Sequence, residues 1–169
     1  MTNKWLKVAL MAAAIATGTS IKIDAETVLY VPQDDRPVSL QYTVDTAREA
    51  GMTILTPPQN LISGKNYQGQ ADQIMAWVEQ NAGRADVMVL STDTLIYGGL
   101  VDSRKHNIPL TTLESRLKRI ESLKARNKNV RIYGFGTVMR SPRASGGGTE
   151  PAYYAEYGPT IFQIAALQD

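Results

Sequence analysis

The sequence predicts an α/β fold, a parallel sheet flanked by helices. Three observations carry this. Short apolar and β-branched runs recur at Thr27–Pro32, Met52–Thr56, Ala85–Ser91 and Val130–Val138. The segments between and after them space their apolar residues at helical intervals. Strand and helix thus alternate four times, which aligns the strands in parallel through right-handed crossovers.

Each element has its own local reason. Thr27-Val-Leu-Tyr-Val-Pro32 is the first strand, ended by a proline. Ser39 is expected to cap a helix to about Ala50, with Leu40, Val44 and Ala47 on one face and Gly51 as terminator. Met52–Thr56 is the second strand, stopped by Pro57-Pro58, because proline cannot donate to a ladder. A polar loop with two glycines, Gln59–Gly69, leads to a second helix over Ala71–Ala82, with Ile74, Trp77 and Val78 turned inward. Ala85–Ser91 reads as a buried strand.

Pro109–Asn129 is the clearest helix. Thr111-Thr-Leu-Glu114 has the spacing of a capping box, and Leu113, Leu117, Ile120 and Leu123 form the apolar stripe. Val130–Val138 is the fourth strand. A Gly/Ser/Pro loop over 141–150 precedes another helical pattern at Tyr153–Gln168. With no fifth strand before Asp169, the expectation is an incomplete larger domain, Rossmann-like in three layers or part of a barrel.

Residues 1–25 have the layout of a secretory signal peptide. Met1–Lys7 carries two lysines and no acid, Val8–Ala16 is a short apolar run, and small and polar residues follow. That run is too short to span a bilayer, which takes about 20 residues. Cleavage is expected before Glu26, or alternatively before Thr19. The mature chain, 26–169, is then secreted or periplasmic, without a membrane span. Its charge is balanced, since the first 25 residues hold three lysines against one aspartate in a chain of net charge +2. No clustered basic face marks a nucleic-acid partner. Absence of cysteine removes disulfides, thiolate zinc sites and cysteine nucleophiles, and the single histidine, His106, leaves little scope for a Ser-His-Asp triad. Gly146-Gly147-Gly148 lacks the ending of a phosphate loop, and no strand-to-helix glycine fingerprint follows the first strand, so no nucleotide cofactor is expected.

Parallel α/β folds bind ligands beyond the carboxyl ends of their strands. Polar residues crowd those positions here, at Gln33-Asp34-Asp35-Arg36-Pro37, at 91–104, and at Met139-Arg140-Ser141-Pro142-Arg143. Asp35 and Asp93 are the candidate acid–base pair, since neighbouring carboxylates can divide acid and base roles. Asp34, Arg36, Tyr97, Arg104 and Arg140 are candidate substrate contacts, arginine offering a planar fork to carboxylate or phosphate. Asp34 or Asp35 can equally serve the turn before Pro37, and Tyr97 can pack. No metal ligand set is assigned, although Asp34, Asp35 and Asp93 would suit a hard cation if they clustered.

The ordered segments Val28–Val38, Thr56-Pro57-Pro58, Leu95–Arg104, Tyr133–Arg140 and Tyr154–Gly158 resemble the bacterial domain-of-unknown-function family 4127. The likeness runs from about Thr27 to the end, with Gln33 where that family is associated with leucine. It implies a chain covering about the first third of a longer exported bacterial protein, and it implies no reaction. The functional expectation therefore rests on the residues: a hydrolase of carbohydrate or a related polymer acting through paired carboxylates. The alternatives are a non-catalytic glycan- or solute-binding domain and a metal-assisted hydrolase.

Overall fold

The computed structural model describes residues 25–143 and 148–167. The expected leader, apart from its last residue, lies outside the described residues, as do Gly146 and Gly147. Four parallel strands form one sheet: β1 (Thr27–Val31), β2 (Thr53–Leu55), β3 (Val87–Ser91) and β4 (Arg131–Phe135), in the order β2-β1-β3-β4. Val28 stands opposite Ile54 on one side and Val87 on the other, and Ser91 stands opposite Phe135. The described helices are α1 (Gln41–Glu49), α2 (Ala71–Asn81), α3 (Thr92–Tyr97), α4 (Asp102–Lys105), α5 (Leu110–Arg126) and α6 (Tyr154–Ala166). The α/β reading of the sequence is thus the fold observed.

Alternation along the strands sorts side chains onto two faces. Leu29, Val31, Met88 and Leu90 face the core, where they meet Ile74, Met75 and Val78 of α2 and Leu123 of α5. Full burial of such a side chain contributes about 1.5–3 kcal/mol, so this layer carries much of the stability. The opposite face carries Val28, Tyr30, Ile54, Val87, Val89 and Tyr133, with α1 along one side and an apolar trough of about 320 Å³ beside it.

Charge pairs fasten α2 to α5. Arg116 meets Asp72 at 2.6 Å, and Arg119 meets Glu79 at 2.8 Å. Both carboxyls are held below their ordinary range by these guanidinium groups. Arg116 also donates to the Ile96 carbonyl at 2.7 Å, which ties α3 to the pair.

Several local expectations are corrected. Ser39 is not the cap of α1. Its N–H and that of Leu40 both donate to the Arg36 carbonyl at 2.9 Å, so the chain is already turning and Leu40 takes the cap position. The capping box does not form, because α5 starts at Leu110, after Pro109, whose carbonyl accepts from Thr112 and Leu113. Thr111 and Glu114 therefore lie inside the helix. Leu117 is 47% exposed, since the face of α5 beside it is occupied by the Arg116 and Arg119 ion pairs. The polar stretch that follows the third strand folds as α3 and α4.

Candidate functional site

The strand order fixes where to look. From β1 the chain crosses to β2 on one side, then returns past β1 to β3 on the other. Such a reversal opens a crevice between the two adjacent strand ends. The segments leaving those ends carry Asp35 after β1 and Asp93 after β3.

Asp93 is set by the cap of α3. The Ser91 hydroxyl accepts from Thr94 N–H at 3.2 Å, starting the helix immediately at the strand end. Asp93 falls in its first turn, where the helix dipole favours a carboxylate. It is 7% exposed. Its Oδ2 accepts from Gln33 Nε2 at 3.3 Å and from the Thr137 N–H at 3.0 Å. This one atom therefore joins the segments after β1, β3 and β4.

The first segment is built around Gln33. Its carbonyl accepts from the Thr94 hydroxyl at 3.2 Å, the Ser63 hydroxyl at 3.4 Å and the Leu100 N–H at 3.2 Å. Its side chain also donates to the Thr137 hydroxyl. Thr94 is fully buried, and its single hydroxyl proton is shared between the Gln33 carbonyl and the nearer one of Pro32, at 2.6 Å. Next along the chain, Asp34 is buried and closes on Arg36. Its Oδ1 accepts from Arg36 N–H at 3.2 Å and its Oδ2 from Arg36 Nε at 2.7 Å. The two neighbours are thereby directed differently, Asp34 inward and Asp35 to the surface. Asp35 donates its N–H to the Ser63 carbonyl at 2.9 Å, and its Oδ2 accepts from the Tyr67 hydroxyl. That bond holds the Tyr67 phenol above its ordinary range.

Two clefts adjoin this edge. One, of about 570 Å³, is lined by Asp35, Pro37, Asp45, Arg48, Pro57 and Trp77. The other, of about 440 Å³, lies between the Gly64–Gln68 loop and α4, and Tyr67 stands on its wall. Gly98 and Gly99 allow α4 to sit close to that loop. Gly98 ends α3 with a φ of +105°, a left-handed conformation suited to glycine. A Cβ on Gly99 would lie 1.9 Å from Ser63 Oγ.

The other expected contacts are dispersed. Tyr97 packs against His106 with ring centroids 4.6 Å apart, and His106 Nδ1 accepts from the Ile108 N–H. Arg104 is half-buried on α4, and Arg140 is exposed beyond β4. Neither forms an ion pair with an acid among the described residues. Asp34, Asp35 and Asp93 do not form a group able to hold a metal ion, and no other such group of three occurs among the described residues.

Four participants were not singled out from the sequence: Gln33, Ser63, Thr94 and Asp102. Asp102 faces the second cleft, and burial holds its carboxyl above the ordinary aspartate range against the opposing bonds from Gly69 N–H and Gln68. The signal for it was present in the Gly98-Gly99 pair three residues earlier, which brings backbone and carboxylate close to the facing loop.

A family model described as a protein of unknown function, DUF4127, matches residues 28–169. No curated protein and no solved structure matches the chain. No described helix is long and apolar enough to cross a membrane.

Proposed function

The chain belongs to the DUF4127 family over residues 28–169, and since that membership supplies no reaction, we propose from the site that it is an exported hydrolase of carbohydrate or a related polymer. Asp35 and Asp93 are the paired carboxylates, one giving a proton to the leaving oxygen and the other serving as base or nucleophile. Arg36, oriented by Asp34, supplies the charged contact, while Arg104 and Arg140 stand apart from it. The observation that supports this reading is one hydrogen bond. Gln33, two residues before Asp35, reaches the carboxylate of Asp93 across 60 positions of sequence. The two acids thus follow adjacent strand ends, and Asp35 lines the 570 Å³ cleft, which also offers Trp77 and Arg48. An aromatic ring beside carboxylates and an arginine suits a polyhydroxylated ligand, whose faces are apolar and whose edges are polar.

The test is release of reducing ends from a panel of soluble polysaccharides by the wild-type chain and by Asp35→Asn and Asp93→Asn. Loss of release in both variants, with folding checked by circular dichroism, supports the reading. Polysaccharide binding with no release by the wild type replaces it with the non-catalytic glycan-binding domain. One observation favours that second reading: each acid already accepts from a protein donor, Asp34 from Arg36, Asp35 from Tyr67 and Asp93 from Gln33 and Thr137. Export is tested separately by intact mass. The mature chain should begin at Glu26 or Thr19 after expression with its own N-terminus, and a soluble cytosolic protein starting at Met1 overturns it.

A further inference from the structure

We propose that the cleft between the Gly64–Gln68 loop and α4 is a subsite for an acidic sugar residue, a polyhydroxylated unit bearing a carboxylate. The inference rests on the polysaccharide reading above and names the class of polymer.

The cleft has a volume of about 440 Å³, within the range of small-ligand sites. Lys65 and Lys105 both line it, and neither forms an ion pair with an acid among the described residues. Lys105 Nζ spends one donor on the Gly148 carbonyl at 2.6 Å, which holds the ammonium in place and leaves two donors for a ligand. The one carboxyl among the described lining residues is Asp102, and protein donors already face it, Gly69 N–H and the Gln68 side chain. Two ammonium groups thus bracket a cavity whose own acid cannot neutralise both. Asp102 is within electrostatic reach of Lys105 and offsets part of that one charge, so the balance of the cavity stays positive. Asn66, Gln68 and Thr149 add neutral donors and acceptors suited to hydroxyl groups. Tyr67 stands on the wall, and its hydroxyl is bonded to Asp35, so a sugar held here lies next to the proposed catalytic acid.

The test is calorimetric titration of the full chain with trigalacturonate, its neutral counterpart galactotriose, and inorganic phosphate. Trigalacturonate should bind about tenfold more tightly than galactotriose, the effect expected of two exposed charge contacts. Lys65→Gln with Lys105→Gln should erase that preference at unchanged Tm, and added salt should weaken trigalacturonate alone. Equal binding of the two sugars, an unchanged preference in the lysine variant, phosphate binding as tightly as trigalacturonate, or no binding of any probe overturns the inference. The hydrolase reading fails separately. Reducing-end release that needs Asp35 and Asp93 but ignores ligand charge removes only the acidic subsite, whereas charge-selective binding without release removes only the hydrolase.

Discussion

Replacing Asp93 by asparagine keeps the side chain's size and one acceptor oxygen but removes the charge. In the folded protein this carboxylate is 7% exposed, and its Oδ2 accepts from Gln33 Nε2 at 3.3 Å and Thr137 N–H at 3.0 Å. A hydrogen bond to a charged group contributes about 1.5–3 kcal/mol net, against about 0.5–1.5 for a neutral one. Losing the charge at two bonds should therefore cost about 2 kcal/mol. For a domain of this size about 2–4 °C of Tm accompanies each kcal/mol, so Asp93→Asn should melt about 4–8 °C lower. The 3.3 Å bond is the longer and weaker of the two, so Gln33→Leu alone should cost about 1 kcal/mol or less. The two residues touch, so their effects should not add, with a coupling of about 0.5–1 kcal/mol in a double-mutant cycle. Urea denaturation and scanning calorimetry on the four proteins measure all three quantities. A Tm for Asp93→Asn within about 1 °C of wild type, with no coupling to Gln33, would refute the reasoning. The carboxylate would then contribute nothing to holding the strand ends.

Three further outcomes are expected. Gly99→Ala places a Cβ 1.9 Å from Ser63 Oγ. It should lower the urea midpoint by the equivalent of about 1–3 kcal/mol, and Ser63→Gly in the same chain should restore most of it. Asp72 and Glu79 have depressed carboxyl pKa values, caused first by hydrogen bonds from Arg116 and Arg119 respectively. Their contribution is present above the ordinary carboxylate range and lost as pH falls through the lower native values, so Glu79→Gln should flatten the loss of stability between about pH 5 and 2. Asp102 has the opposite sign, being raised by burial. Its stabilising effect is complete below the unfolded value and lost as pH rises through the native one, so the Tm of Asp102→Asn minus wild type should grow from about pH 4 to 7. A constant difference across that range argues against a buried, charge-averse Asp102.

Hydrophobic spacing made the layers legible, because Leu29, Val31, Met88 and Leu90 follow the strand period and Ile74 and Val78 the helical one. Element ends were less legible, because competing bonds decide them. Ser39 loses its cap to an earlier turn on the Arg36 carbonyl, and β4 stops at Phe135, where β3 ends and the chain turns to bring the Thr137 N–H to Asp93. Asp35 and Asp93 were legible as strand-end residues because parallel strands share an edge. Their partners were not. Gln33, Ser63 and Thr94 act through contacts 30 to 104 positions apart, and residue type says nothing about such pairing. Asp102 was hidden for a related reason, since the loop that buries it lies over thirty positions earlier.

The Gln33 carbonyl, with Thr94, Ser63 and Leu100 all directed at it, bears on how this region tolerates change. A main-chain oxygen is present whatever side chain the residue carries. Leucine here would keep those three bonds and forfeit only the amide contacts to Asp93 and Thr137. Insertion or deletion is another matter. A residue added or removed just before Gln33 displaces the carbonyl from its three donors, and one between Asp34 and Arg36 breaks their pairing. Length in this stretch is thus more tightly constrained than identity, and homologous chains should vary in lettering there while keeping an ungapped register.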